Sequence, residues 1–186
     1  MLMKNTPNTY GSVAIFLHWL MAVGVFSLFG LGLYMVELSY YDAWYKGSLE
    51  LHKSIGIVLF ILLCIRLFWR LVNVNPAFPE AKTKFEKIEL FAAHWAHLLS
   101  YLLMLLLMCS GYLISTADGR GILVFELFEV PALPTLIENQ EDIAGEIHFI
   151  LAWCLIGLVA VHTVAAIKHH FINKDDTFKK MLGLKH

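Results

Sequence analysis

The stretch GEIHFILAWCLIGLVAVHTVAAIKHH, residues 145–170, holds no acidic or basic residue between Glu146 and Lys168. The hydrocarbon of a bilayer is about 30 Å thick and takes about 20 apolar residues as a helix. Lipid offers backbone N–H and C=O groups no partner, so such a run must be helical. Two histidines, His148 and His162, interrupt it. Their 14-residue spacing corresponds to about 21 Å along the axis. The net rotation falls about 40° short of whole turns. Both rings therefore leave one face of one helix, near opposite membrane surfaces.

Three more runs of this kind occur, at about 13–36, 49–71 and 90–115, with the fourth at about 147–167. The chain is 59% hydrophobic and 16% charged over 186 residues. A soluble domain carries nearer a quarter charged residues, and one of this size has no room to bury so much apolar surface. Disorder is excluded, as is a nucleic-acid-binding domain, since there is no basic excess. The first run is too long for a cleaved signal and is followed by no small-residue cleavage site, so it reads as a retained helix. The expected fold is all-α: an integral membrane four-helix bundle forming a single domain over residues 1–186, with a basic tail from 168.

The loops set the orientation. The N-terminus, the 2–3 loop and the C-terminus share one side, with eleven cations, among them Arg66, Arg70, Lys82, Lys168 and Lys185. The opposite side has three: Lys46, Lys53 and Arg120. The positive-inside rule places both termini in the cytoplasm. Ten of the fifteen acidic residues lie on the other, periplasmic side, including Glu126, Glu129, Glu138, Glu141 and Asp142. The loop from Thr116 to Gly145 is long enough to shield something beneath it. A short interfacial helix is expected there, around Ile122 to Phe128.

Histidines within spans carry the chemistry, because ionisable groups in a membrane are costly and usually functional. Depth pairs them across helices. His18, about six residues into the first span, matches His162, six before Lys168. His52 and His148 match at the outer end. Zinc usually takes four ligands including thiolate or carboxylate, so paired imidazoles in an apolar bundle suit heme iron better. Small residues (Gly24, Gly30, Gly32, Gly56, Gly111 and Gly157) permit either a porphyrin's close approach or helix packing. Saturation by two axial histidines favours electron transfer over oxygen binding. Cys64, Cys109 and Cys154 form no CxxCH, which excludes covalent heme attachment, and read as small buried hydrophobes.

Other residues keep two readings each. Arg66 and Arg70 are positive-inside anchors or partners of heme propionates, and Lys53 is a candidate propionate contact outside. His94 and His97 are a substitute inner ligand, a pocket lining or propionate contacts, with the lining roles preferred. His169 and His170 are an interfacial tail or a quinone site, where an imidazole bonds a quinone oxygen and carries its proton.

The segments FLHWLMA (16–22), ELHKSIGIVLFILLCIRLFWR (50–70), HWAHLLSYLLM (94–104), SGYLISTADG (110–119), EIHFILAW (146–153) and GLVAVHTVAAIKHHFINKDDT (157–177) together resemble the bacterial cytochrome b561 family. Related folds are the cytochrome b subunits of hydrogenases and formate dehydrogenases. The resemblance implies a multi-pass protein of the bacterial inner membrane with two noncovalent b hemes. It also implies the axial pairs His18–His162 and His52–His148. Ubiquinone or menaquinone would react near the cytoplasmic heme, which points to His169 and His97. One activity in the family is oxidation of superoxide outside, with electrons passed to ubiquinone. The acidic outer face suits an unknown periplasmic partner, such as a basic electron carrier, better than an anion. The expected function is quinone-linked electron transfer as an oxidoreductase. The alternative is a membrane anchor and electron relay of a larger dehydrogenase or hydrogenase.

Overall fold

The computed structural model describes residues 2–77 and 83–184. Lys82 and Lys185, two of the eleven cations counted above, lie outside the described residues. Helices α1 (Ser12–Val36), α2 (Tyr45–Val72), α3 (Lys84–Ser115) and α4 (Gln140–Lys168) are each long and apolar enough to cross a membrane. The fold is thus an all-α bundle of four membrane-spanning helices. Its 25, 28, 32 and 29 residues exceed the apolar runs because polar first turns extend them. α4 begins at Gln140, and Glu141 and Asp142 sit in its first turn, where the helix dipole favours negative charge. After α4 a π-helical turn (His169–Asn173) leads to the short helix α5 (Thr177–Leu182).

The interior is thin, because most large apolar side chains face outward, as lipid-solvated helices require. The chain divides into two compact units. One comprises Met1–Leu20, Cys64–Leu103 and Cys154–His186. Leu17, Leu103 and Leu155 are its buried apolar residues. Its extended N-terminus is laced to the segment after α2: Asn5 donates to the Val74 carbonyl (2.8 Å) and Ala77 N–H to Pro7 (2.9 Å). The Trp19 indole donates to the Met181 carbonyl at 2.9 Å, tying α5 to α1.

The second unit comprises Met21–Leu63 and Met104–Trp153. Met21, Leu28, Leu59, Leu63 and Met104 form its core. Here the long loop differs from the expected interfacial helix. Residues Ile122–Val124 and Phe128–Val130 are strands β1 and β2 of an antiparallel hairpin, with Val124 opposite Phe128. Ile122 and Val124 are buried and Leu123 is exposed, the two-residue period of a strand. So short an apolar run does not distinguish helix from strand by pattern alone. The turn is made by Phe125 and Glu126, both at positive φ (48° and 59°), with Leu127 N–H donating to Val124. Ser54, buried on α2, accepts the Phe125 N–H at 3.1 Å and fixes the turn. Tyr112 anchors the rest of the loop, donating to the Pro131 carbonyl (2.7 Å) and accepting from Leu133 N–H (3.0 Å). Gln140 joins Leu113 and Leu136 in the same way.

Candidate functional site

In the second unit, α2 presents His52 and α4 presents His148. Their ring centres are 6.3 Å apart at an interplanar angle of 65°. Two imidazoles on one metal ion, each nitrogen about 2 Å from it, place their ring centres roughly 6 Å apart. The observed spacing fits. His148 Nδ1 lies 3.0 Å from the Leu107 carbonyl and 3.1 Å from Ser110 Oγ. A carbonyl only accepts, so Nδ1 carries the proton and the Nε2 lone pair is left for a metal. Ser110 itself donates to the same carbonyl at 2.9 Å. Gly111 makes room for this ring: a Cβ there would stand 3.1 Å from His148 Cε1. A Cβ at Gly32 would meet His52 Cε1 at 3.5 Å. Two of the six glycines singled out above thus flank the histidine pair. His52 Nδ1 is buried and has no hydrogen-bond partner among the described residues.

Lys53 is bonded to Glu50 at 3.2 Å. With Ser115, Asp118 and Arg120 these two residues line a cavity of about 180 Å³. Arg120 pairs with Asp118, whose carboxyl the Arg120 side chain and backbone N–H hold below its usual range. The four charges around the cavity cancel.

In the first unit, His18 on α1 lies within electrostatic reach of His162 on α4 and His97 on α3. The His97 and His162 rings are 5.4 Å apart, tilted by 59°. The donor set therefore comprises three imidazoles, with His97 beside His162. Arg66 reaches His18 Nδ1 at 3.0 Å, and a guanidinium only donates. Ligation of a metal through Nε2 would place the proton on Nδ1, so this guanidinium would no longer donate there. Arg66 and Arg70 both lie over the Tyr101 ring, at 5.6 and 5.5 Å. Tyr10 is half-buried beside them, and desolvation raises its pKa against the opposing pull of Arg70. His94 is exposed and meets Trp95 edge-on.

The end of α4 holds a third group. His169 Nδ1 is 2.6 Å from Asp175 Oδ2, and Nε2 is 3.9 Å from Glu89 Oε2. Glu89 is ion-paired with Lys168. Asn173 also reaches His169 Nδ1, at 3.2 Å. Sequence reasoning missed Glu89, Asp175 and Ser110. Glu89 directly precedes the apolar run at about 90–115, and Asp175 lies in the tail from 168. Ser110 carried no signal beyond lying 38 residues from His148 in an apolar run.

The sequence profile of prokaryotic cytochrome b561 matches residues 9–184. The chain belongs to the prokaryotic cytochrome b561 family. It is 48% identical over 183 residues to "Cytochrome b561 homolog 2" of Escherichia coli (strain K12), covering 98% of this chain and 96% of that relative. It is 26% identical over 184 residues to "Probable superoxide oxidase CybB" of Yersinia pestis, covering 95% and 97%. "Cytochrome b561 homolog 1" of Escherichia coli (strain K12) is 27% identical over 184 residues, covering 94% and 97%. A cytochrome b561 carries b-type heme, and the imidazole donors described above suit that group. Membership and the four long apolar helices place this cytochrome in the inner membrane as a multi-pass protein, with a b561-type quinone-linked electron-transfer function.

Proposed function

We propose that this cytochrome b561 is a stand-alone di-heme electron carrier between the quinone pool and a periplasmic redox partner. His52 and His148 would hold one heme, and His18 and His162 the other. The observation that carries this reading is the 6.3 Å imidazole pair whose His148 proton is fixed on Nδ1 by Leu107. Bound heme would supply a one-electron relay with no open coordination position. His97, packed on His162, lines the inner site and steadies that ring. Arg66, Arg70 and Lys53 supply the cations for propionates. Eleven cations against five anions on the side of both termini support a cytoplasmic location for His169, where quinone would bind.

Superoxide is the less favoured outer substrate. The cavity lined by Lys53 and Arg120 pairs Lys53 with Glu50 and Arg120 with Asp118, so an anion meets no net positive field there. A partner with a basic surface suits the ten acidic residues assigned to the outer side better. The test is spectroscopic. Purified protein should contain two b hemes per chain by the pyridine hemochrome assay. A quinol should reduce both, and superoxide should reduce them poorly. A single heme per chain, or indifference to quinol, would overturn the reading.

A further inference from the structure

The cluster at the end of α4 has a construction that a solvated tail does not need. The helix passes into the π-helical turn His169–Asn173 and stops at Lys174, which is left-handed (φ 54°, ψ 34°). π-helical turns are rare and occur often at functional sites. The N–H groups of Lys174 and Asp175 both return to the His169 carbonyl. This reversal brings the Asp175 carboxylate alongside the His169 ring, 2.6 Å from Nδ1. The other carboxylate oxygen accepts the Thr177 N–H at 2.9 Å, in the first turn of α5. α5 is in turn held to α1 through Trp19. The carboxylate is thus fixed on both sides. Across the ring, Nε2 faces Glu89 Oε2, an oxygen sealed from solvent that accepts no hydrogen bond among the described residues. The side chains of His169, Glu89 and Asp175 are each no more than 22% exposed.

The charge count of the cluster has a direct consequence. Glu89, Asp175 and Lys168 sum to −1 while His169 is neutral. Asn173 adds no charge, and His170 stands next in the chain, packed on Phe171 and Phe178. A proton taken up by His169 therefore neutralises the cluster instead of adding an unpaired charge.

We propose that Asp175 is a positioning residue for proton transfer at the quinone site. It holds one proton on His169 Nδ1, leaves the Nε2 lone pair as the base, and with Glu89 flanks the imidazolium that forms. This rests on the reading of His169 as the quinone-side residue. For each quinol oxidised, two O–H bonds break. The two electrons would leave one at a time to the one-electron relay supplied by the heme that His18 and His162 would hold, and the two protons pass in turn through Nε2 to water on that side of the membrane. Reduction of quinone runs the same path backward.

The experiment uses detergent-purified, heme-loaded cytochrome and a soluble quinol, with heme reduction followed by absorbance across pH. Quinol oxidation needs neutral His169, so its rate rises with pH. Asp175→Asn should slow it about 10-fold or more near pH 7, the range of a mispositioned general base. Loss of one carboxylate destabilises the imidazolium, so the rise should also move to lower pH. Asp175→Glu should restore most of the rate. Nitrogen-15 NMR of histidine-labelled protein should show His169 protonated on Nδ1, and a tautomer mixture in Asp175→Asn. If Asp175→Asn fails to fold, Glu89→Gln carries the test, since it should shift the profile the same way. Unchanged rate, profile and tautomer in Asp175→Asn, with His169→Ala inactive, would overturn the positioning role and leave the quinone site standing. Full quinol reduction in His169→Ala would remove the quinone site from this end altogether.

Discussion

His148 is held at three points: Leu107 and Ser110 take its Nδ1, and Gly111 lies against its Cε1. If the proposed di-heme reading holds, replacement of His148 by Ala should remove one heme while the protein keeps the other, giving half the wild-type pyridine hemochrome value. Retention of both would refute the pairing with His52. Gly111→Ala is a finer probe. Its Cβ at 3.1 Å forces the ring to shift by a few tenths of an ångström, so heme content should fall. Gly30→Ala meets nothing within 4 Å and should behave as wild type. Equal heme content in both variants would count against the close approach. The positions of these histidines were legible in the sequence because helix periodicity and membrane depth are regular. Their supporting contacts were not. Leu107 acts through its backbone carbonyl, which no residue type announces, and Asp175 reaches His169 only because the chain reverses at Lys174.

At the scale of elements, helices were predictable and the loop was not. Apolar runs of about 20 residues have only one solution in lipid. The three-residue strands have several, and the turn joining them lacks the Asn-Gly signature of its type. Phe125 and Glu126 occupy left-handed backbone that costs a residue with a Cβ roughly 1–2 kcal/mol. Glu126→Gly should therefore stabilise the hairpin by about 1 kcal/mol, read as slower amide hydrogen exchange in β1 and β2. Faster exchange would show that the Glu126 side chain outweighs the backbone strain. The α1–α2 connection responds to pH. Ser39 donates both its hydroxyl and its N–H to Asp42 at 2.7 Å, which holds the carboxyl below its ordinary range. A lowered folded-state pKa contributes stability above the unfolded value and loses it as pH falls through the folded one. Exchange of the Ser39 amide, corrected for its intrinsic pH dependence, should accelerate only in acid below the usual carboxylate range, and Asp42→Asn should remove that acceleration.

For the whole molecule, a net charge of −1 conceals polarity. The side assigned to the cytoplasm carries eleven cations and five anions, and the other carries three and ten. That asymmetry orients insertion, and it also sets which soluble partners approach the outer face. An excess of seven negative charges there attracts a cationic protein over a distance set by screening. The Debye length shortens from about 30 Å at 0.01 M salt to about 8 Å at 0.15 M. Electron exchange between this cytochrome in nanodiscs and a basic soluble redox protein should therefore slow by about 10-fold across that range. An acidic redox protein of similar potential should speed up over the same range. Stopped-flow heme absorbance reads both. Neutralising Glu126, Glu129 and Glu138 together should flatten the first dependence and leave quinol reduction unchanged, because none of them belongs to the His169 cluster. A basic partner whose rate ignores salt would show that the outer field does not guide encounter. The neutral cavity at Lys53 and Arg120 would then be the feature that selects the donor.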